Sequence, residues 1–243
     1  MIDRRTALFL DYDGTLADLA PTPEEARPLA GVVSLLGQVS DWLGGALAIL
    51  SGRSIADIDG MLAPLHLTVA GVHGAEVRRN GGDILRHRPP PGIERARKAA
   101  QTLVSEHPAL RLEDKDLALA VHYRAAPDLG DVARNVLVRA VDGDPELDLI
   151  HGKMVHEVRT ARIHKGAALL RLMELPPFQG RCPVMVGDDR TDEDAFHAVN
   201  DLGGISIKVG AGDTAASHRL ADVAAVHRLL RDTLAHRTEG NSA

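Results

Sequence analysis

Apolar residues follow two rhythms along this chain. Near its start and again near its end, short runs of consecutive apolar residues alternate with stretches spaced three and four apart. The runs are "ALFLDYD", "GALAILSGR", "LTVAGVHG", "CPVMVGDD" and "GISIKVG". Each is short and apolar on both faces, which predicts strands of a parallel sheet covered on both sides. Between them, "EEARPLAGVVSLLGQVS" places Leu29, Val32, Val33, Leu36 and Val39 on one helical face, and "SIADIDGMLAP", "HKGAALLRLMEL" and "EDAFHAVN" also read as helices. Strand and helix in alternation predict an α/β core built on that sheet.

The middle of the chain has a different grammar. "AEVRRNGGDILRHR" reads as a hairpin turning at Asn80-Gly81-Gly82, and "PPPGIERARKAAQTLVSEHP" as a helix opened by proline. "LRLEDKDLALAVHYR" alternates like two antiparallel strands, "PDLGDVARNVLVRAV" is a second helix, and "ELDLIHGKMVHEVR" is another hairpin. Helix, two strands, helix, two strands predicts a small α+β insert over residues 90–159, set into a core made of residues 1–89 and 160–243. Only the tail after Arg237 reads as frayed.

Composition narrows the classes. At 243 residues the chain is long enough for a core with an inserted domain. Net charge is −6 with scattered basic residues, which argues against nucleic-acid binding. Aromatics at 2% argue against base-stacking platforms. One cysteine, Cys182, cannot form an internal disulfide, and no apolar stretch reaches a membrane-spanning length. A monomeric cytoplasmic protein is the expectation.

The chemistry gathers where apolar runs end. "LFLDYDGTLAD" places Asp11 and Asp13 two apart, so strand alternation predicts both carboxylates on one side and Tyr12 opposite. Ligands of open α/β sheets bind at this carboxyl edge. Asp-Gly is also a common Asx turn. "VMVGDDRTDED" brings Asp188, Asp189 and Asp192 to a second strand end, where acids also suit a helix N-terminus. Acids converging from two strands need a compensating cation, and hard oxygen ligands suit Mg²⁺. Ser51, Gly52 and Arg53 follow "LAIL", where a serine is either an anion donor or a helix cap. Lys165 opens a helix, where a lone lysine is most often a surface charge.

In their order, "DYDGTL", "SGR", Lys165 and "GDDRTDED" resemble the haloacid dehalogenase-like phosphatases over the whole sheet portion. The resemblance implies a Rossmann-like core with an α+β cap of the C2 type inserted between the second and third motifs. A narrower resemblance, to the trehalose-6-phosphate phosphatase family, rests on "LDYDGTL", "SGRS", "GVHGAEVR", "GKMVHEVR", "HKGAAL" and "GDDRTDEDAF". Thr160 departs from it, standing where the family often has proline. With the first motif so near residue 1, a fused synthase domain is not expected.

That family implies covalent catalysis on a phosphorylated disaccharide. Asp11 would be the nucleophile and Asp13 the general acid and base. Mg²⁺ would be held by Asp11, the main-chain carbonyl of Asp13 and Asp188, with Asp189 and Asp192 orienting that shell. Thr15, Ser51, Gly52 and Lys165 would bind phosphate. Arg53, His73 and Glu76 from the core, and Lys153 and Glu157 from the cap, would bind substrate; His122 and Arg124 are weaker candidates. The alternatives are a phosphatase of the sucrose-phosphate or glycosyl-phosphoglycerate type, and a non-catalytic sugar-phosphate sensor.

Overall fold

The computed structural model describes residues 2–19, 27–79, 81–114, 117–152 and 154–235. Along the chain run β1 (Thr6–Leu10), α1 (Val32–Trp42), β2 (Leu47–Leu50), α2 (Ile55–Leu62), β3 (Thr68–Gly71), β4 (Glu76–Arg78), β5 (Leu85–Arg86), α3 (Pro91–Glu106), β6 (Arg111–Asp114), β7 (Ala118–His122), α4 (Gly130–Val141), β8 (Leu147–Gly152), β9 (Val155–Thr160), α5 (Lys165–Met173), β10 (Cys182–Gly187), α6 (Glu193–Asp201), β11 (Ile205–Val209), β12 (His218–Leu220) and α7 (Val223–Ala235). They fall into two compact units: Met1–Arg86 with His164–Ala243, and His87–Ile163.

The first unit is built on an eight-stranded sheet in the order β12-β11-β10-β1-β2-β3-β4-β5. The six strands from β12 to β3 run parallel; β4 and β5 turn back antiparallel. β1 lies between β10 and β2, with Leu8 aligned to Val184 on one side and Leu47 on the other. All of β1, β2 and β3 is buried, which is why these segments read as unbroken apolar runs. Phe9 stacks on Phe178 with ring centroids 5.3 Å apart beneath the sheet's centre.

Two features differ from the sequence reading. Helix α1 begins at Val32, so Leu29 precedes it and is 45% exposed. Gly31 just before the helix is left-handed at φ 86, and Pro28 lies upstream; both oppose an earlier start. Strand β1 also stops at Leu10, one residue before Asp11, so strand alternation does not govern the two aspartates. The hairpin expected at Asn80 forms as β4 and β5, with Glu76 opposite Arg86, though Asn80 itself lies outside the described residues.

The second unit has a four-stranded antiparallel sheet in the order β6-β7-β9-β8. Ile93, Ala96, Ala100 and Leu103 from α3 and Ala133 and Leu137 from α4 pack with Leu119, Val121 and Val158. Along β9, buried His156 and Val158 alternate with half-buried Val155, Glu157 and Arg159, which therefore occupy the face away from the helices. Register sets Glu157 beside Ala120 and Ile150. Among the described residues no helix is long and apolar enough to cross a membrane.

Candidate active site

The carboxyl ends of β1, β10 and β2 gather the predicted residues. After Leu10 the Asp11 amide still donates to Val186 of β10, at 2.9 Å. The chain then coils back on itself: Leu16 and Ala17 amides donate to the Tyr12 carbonyl at 2.8 and 3.0 Å, and Gly14 donates to Ala17 at 2.8 Å. Gly14 is left-handed at φ 74, and a Cβ there would lie 2.1 Å from Oδ2 of Asp188. Only glycine lets the loop after β1 come this close to the loop after β10.

A buried ion bridge holds the centre. Lys165 Nζ donates to Asp11 Oδ1 at 2.7 Å and to Asp192 Oδ1 at 2.6 Å. Asp11, Lys165 and Asp192 are 4%, 3% and 0% exposed, so their charges must be settled among themselves. Asp192 Oδ2 also accepts the Asp189 amide at 3.0 Å, and the Asp189 side chain returns the bond in a capping box. Both Asp192 oxygens are thus engaged, which suits the orienting role. Burial pushes Asp11 up, to about 8, against the pull of Lys165. Burial opposes the charge on Lys165, but Asp11 and then Asp192 outweigh it and raise the ammonium. Burial, then Asp192 and Asp189, push Asp188 up to about 6. All three directions describe a site with more negative charge than its own cations balance.

Carboxylate oxygens of Asp11, Asp188 and Asp192 lie within 4.8 Å of one another. Oδ1 of Asp188 is buried with no hydrogen-bond partner among the described residues, and so is Oγ1 of Thr15. Orphaned acceptors in an acidic cluster fit a hard divalent cation such as Mg²⁺. With Asp192 engaged, Asp11 and Asp188 are the carboxylates suited to hold it.

The remaining residues are placed as follows. Asp13 faces Arg53 in a two-pronged pair, Nε to Oδ2 at 2.7 Å and Nη2 to Oδ1 at 2.6 Å, and the guanidinium lies 5.6 Å from the Tyr12 ring centroid. Ser51 is buried, and its Oγ accepts the Arg53 amide at 3.1 Å. Ser54, rather than Ser51, caps α2. Val72 and His73 are left-handed, at φ 48 and 56, a conformation that costs on the order of 1–3 kcal/mol per residue outside glycine. Glu76 Oε2 accepts the Ile55 amide at 3.0 Å, and Oε1 pairs with Arg86 at 2.9 Å. Lys153 lies outside the described residues. Glu157 is in the second unit, as are exposed Arg124 and His122, which pairs with Glu113 at 3.0 Å.

Two residues that sequence reasoning passed over also support the site. Lys208 of β11 is 6% exposed, and its Nζ donates to the Asp188 carbonyl. His227 of α7 is 3% exposed, with Nε2 3.0 Å from the Leu16 carbonyl. A lysine inside the apolar run "ISIKV" was the one available signal.

A parallel sheet, a loop bearing Asp11 and Asp13 after its central strand, and a buried lysine tying that loop to a second acidic loop make up a haloacid dehalogenase-type fold. The fold agrees with a haloacid dehalogenase-like hydrolase from B. subtilis, with TM-score 0.65 and 15% identity over 93% of this chain and 99% of that one. More narrowly, the chain belongs to the trehalose-phosphatase family, whose profile matches residues 9–226. A trehalose-6-phosphate phosphatase from Escherichia coli (strain K12) is 39% identical over 223 residues, 91% of this chain and 84% of that protein. The structure of an Aspergillus fumigatus trehalose-6-phosphate phosphatase superposes with TM-score 0.80 and 28% identity, covering 96% of this chain and 93% of the other.

Proposed function

We propose that this chain hydrolyses trehalose 6-phosphate to trehalose and phosphate through a phosphoryl group carried on Asp11. The observation that carries the reading is the buried Lys165 bridge between Asp11 and Asp192. An Asp11 oxygen attacks phosphorus, the bond from phosphorus to the sugar 6-oxygen breaks, and Asp13 delivers its proton to that oxygen. Water then attacks the same phosphorus, gives a proton to Asp13, and frees phosphate and the Asp11 carboxylate. Lys165 offsets charge on the transferring oxygens, while Thr15, Ser51 and Gly52 donate hydrogen bonds to them. Mg²⁺ held by Asp11, the Asp13 main-chain carbonyl and Asp188 would screen the carboxylate from the incoming phosphate.

Glu157 and Lys153, in residues 90–159 as a cap, serve the distal sugar in this reading. Polar partners for sugar hydroxyls reject substrates that leave them unpaired. The test is phosphate release in Mg²⁺ from trehalose 6-phosphate, sucrose 6-phosphate, glucosyl-3-phosphoglycerate and p-nitrophenyl phosphate. A preference for trehalose 6-phosphate is expected. A preference for either of the other sugar phosphates reassigns the substrate, and no turnover of any substrate makes the protein a sensor.

A further inference from the structure

We propose that the Gly71–Glu76 turn is a clamp on the phosphate pocket, with Glu76 and His73 acting as positioning residues for the Ser51–Gly52–Arg53 loop rather than as sugar ligands. The inference rests on the phosphatase reading of that pocket. Both Glu76 oxygens are committed inside the first unit. Oε2 holds the Ile55 amide, the first of α2, at 3.0 Å, and Oε1 holds Arg86 of the neighbouring strand at 2.9 Å. Glu76 therefore anchors the chain just where the Ser51–Arg53 loop enters α2.

The two left-handed residues grip the other end of the loop. The Val72 amide donates to the Arg53 carbonyl at 2.8 Å, and the His73 amide to the Ser51 carbonyl at 2.9 Å. Two successive amides reach one neighbouring loop here, in a backbone conformation that a β-branched residue such as Val72 adopts only when its surroundings enforce it. Side-chain packing completes the grip. A Cβ on Gly52 would lie 2.8 Å from Cε1 of His73, and one on Gly71 would lie 2.9 Å from both the Arg53 carbonyl oxygen and the Ile55 nitrogen.

The same turn touches the opposite wall. A Cβ on Gly74 would lie 2.9 Å from the Cβ of Ala168, in the first turn of the helix that Lys165 opens. One short segment thus spaces the Ser51 loop against the Lys165 helix, and with it the direction in which Arg53 meets Asp13. Its effect is on phosphoryl binding, whatever the leaving group carries.

The test is Glu76→Ala against Glu76→Gln, read with trehalose 6-phosphate, p-nitrophenyl phosphate and inhibition by inorganic phosphate. Glu76→Ala is expected to lower kcat/KM on both substrates by the same factor, about ten- to a hundredfold, and to weaken phosphate inhibition. Glu76→Gln keeps an oxygen for the Ile55 amide and should recover most of the loss. A loss confined to trehalose 6-phosphate, or no loss at all, overturns the proposal. Should Glu76→Ala fail to fold, His73→Ala removes the ring that packs on Gly52 and must give the same equal loss. Failure of the wild type on trehalose 6-phosphate with turnover of p-nitrophenyl phosphate would refute only the substrate, and the comparison on the second compound still decides the clamp.

Discussion

Arg53 holds both carboxylate oxygens of Asp13, at 2.7 and 2.6 Å. A carboxylate gripped at both oxygens by a guanidinium has none left from which to donate a proton. In the proposed mechanism Arg53 must therefore release one oxygen before Asp13 can protonate a leaving group. A sugar alkoxide needs that proton, whereas p-nitrophenolate leaves without it. Asp13→Asn should keep a rapid p-nitrophenol burst and lose the burst from trehalose 6-phosphate by at least about 10²-fold. Rapid quench measures both, and equal losses would remove Asp13 from the acid role.

Asp11 and Lys165 make opposite demands on stability. Lys165→Met leaves Asp11 and Asp192 buried together without a cation, and should destabilise by about 3–5 kcal/mol in urea titration. Asp11→Asn leaves Lys165 paired with Asp192 and should unfold close to the parent. Both variants should lose phosphate release, and a beryllium fluoride adduct should form on the parent and not on Asp11→Asn.

Asp188 gives the site a pH dependence of known sign. Its carboxyl is raised from an ordinary 3.8 to about 6, so the folded chain holds this proton more tightly than the unfolded chain. The stabilising effect of that proton is full below about 4 and is lost as pH rises through about 6. In chelator, Asp188→Asn should therefore gain Tm relative to the parent between pH 4 and 8. Mg²⁺ requires the ionised form, so its affinity for the parent should fall by up to about tenfold per pH unit below 6. Calorimetry at pH 5 and 7.5 checks this, and pH-independent binding would exclude Asp188 as the ligand.

Gly14→Ala tests the contact between the two acidic loops. Its Cβ would meet Asp188 Oδ2 at 2.1 Å in a left-handed backbone. Displacing Asp188 should weaken Mg²⁺ binding at least about tenfold and destabilise by about 1–3 kcal/mol. Parent-like binding would show that Asp188 can retreat without loss.

Glu157→Ala should lower kcat/KM for trehalose 6-phosphate by about ten- to a hundredfold and leave p-nitrophenyl phosphate nearly unchanged. An equal loss on both compounds would make Glu157 a support of its strand.

The parallel strands were legible because burial on both faces leaves an unbroken apolar signature. The order of Asp11, Ser51, Lys165 and Asp188 was legible because each closes such a run or opens the helix beyond one. Other contacts have no such signature. The aspartate pair follows loop geometry after Leu10, and no spacing rule foretold that Asp11 would meet Lys165 while Asp13 met Arg53. Lys208 and His227 act on main-chain carbonyls of Asp188 and Leu16, and Glu76 on the Ile55 amide. Every residue offers the same carbonyl and amide, so sequence cannot say which one a side chain will choose.

The central place of β1 has a consequence for biosynthesis. The strand leading to Asp11 is made well before one of its two sheet neighbours, β10, which begins at Cys182. The partner of Asp11 lies 154 residues downstream. At ribosomal speeds of roughly 5–20 residues per second, Asp11 stands without that lysine for on the order of ten seconds. Asp11 thus lacks the cation that settles its buried charge until Lys165 has been made, and the second carboxylate on that lysine, Asp192, follows 27 residues later.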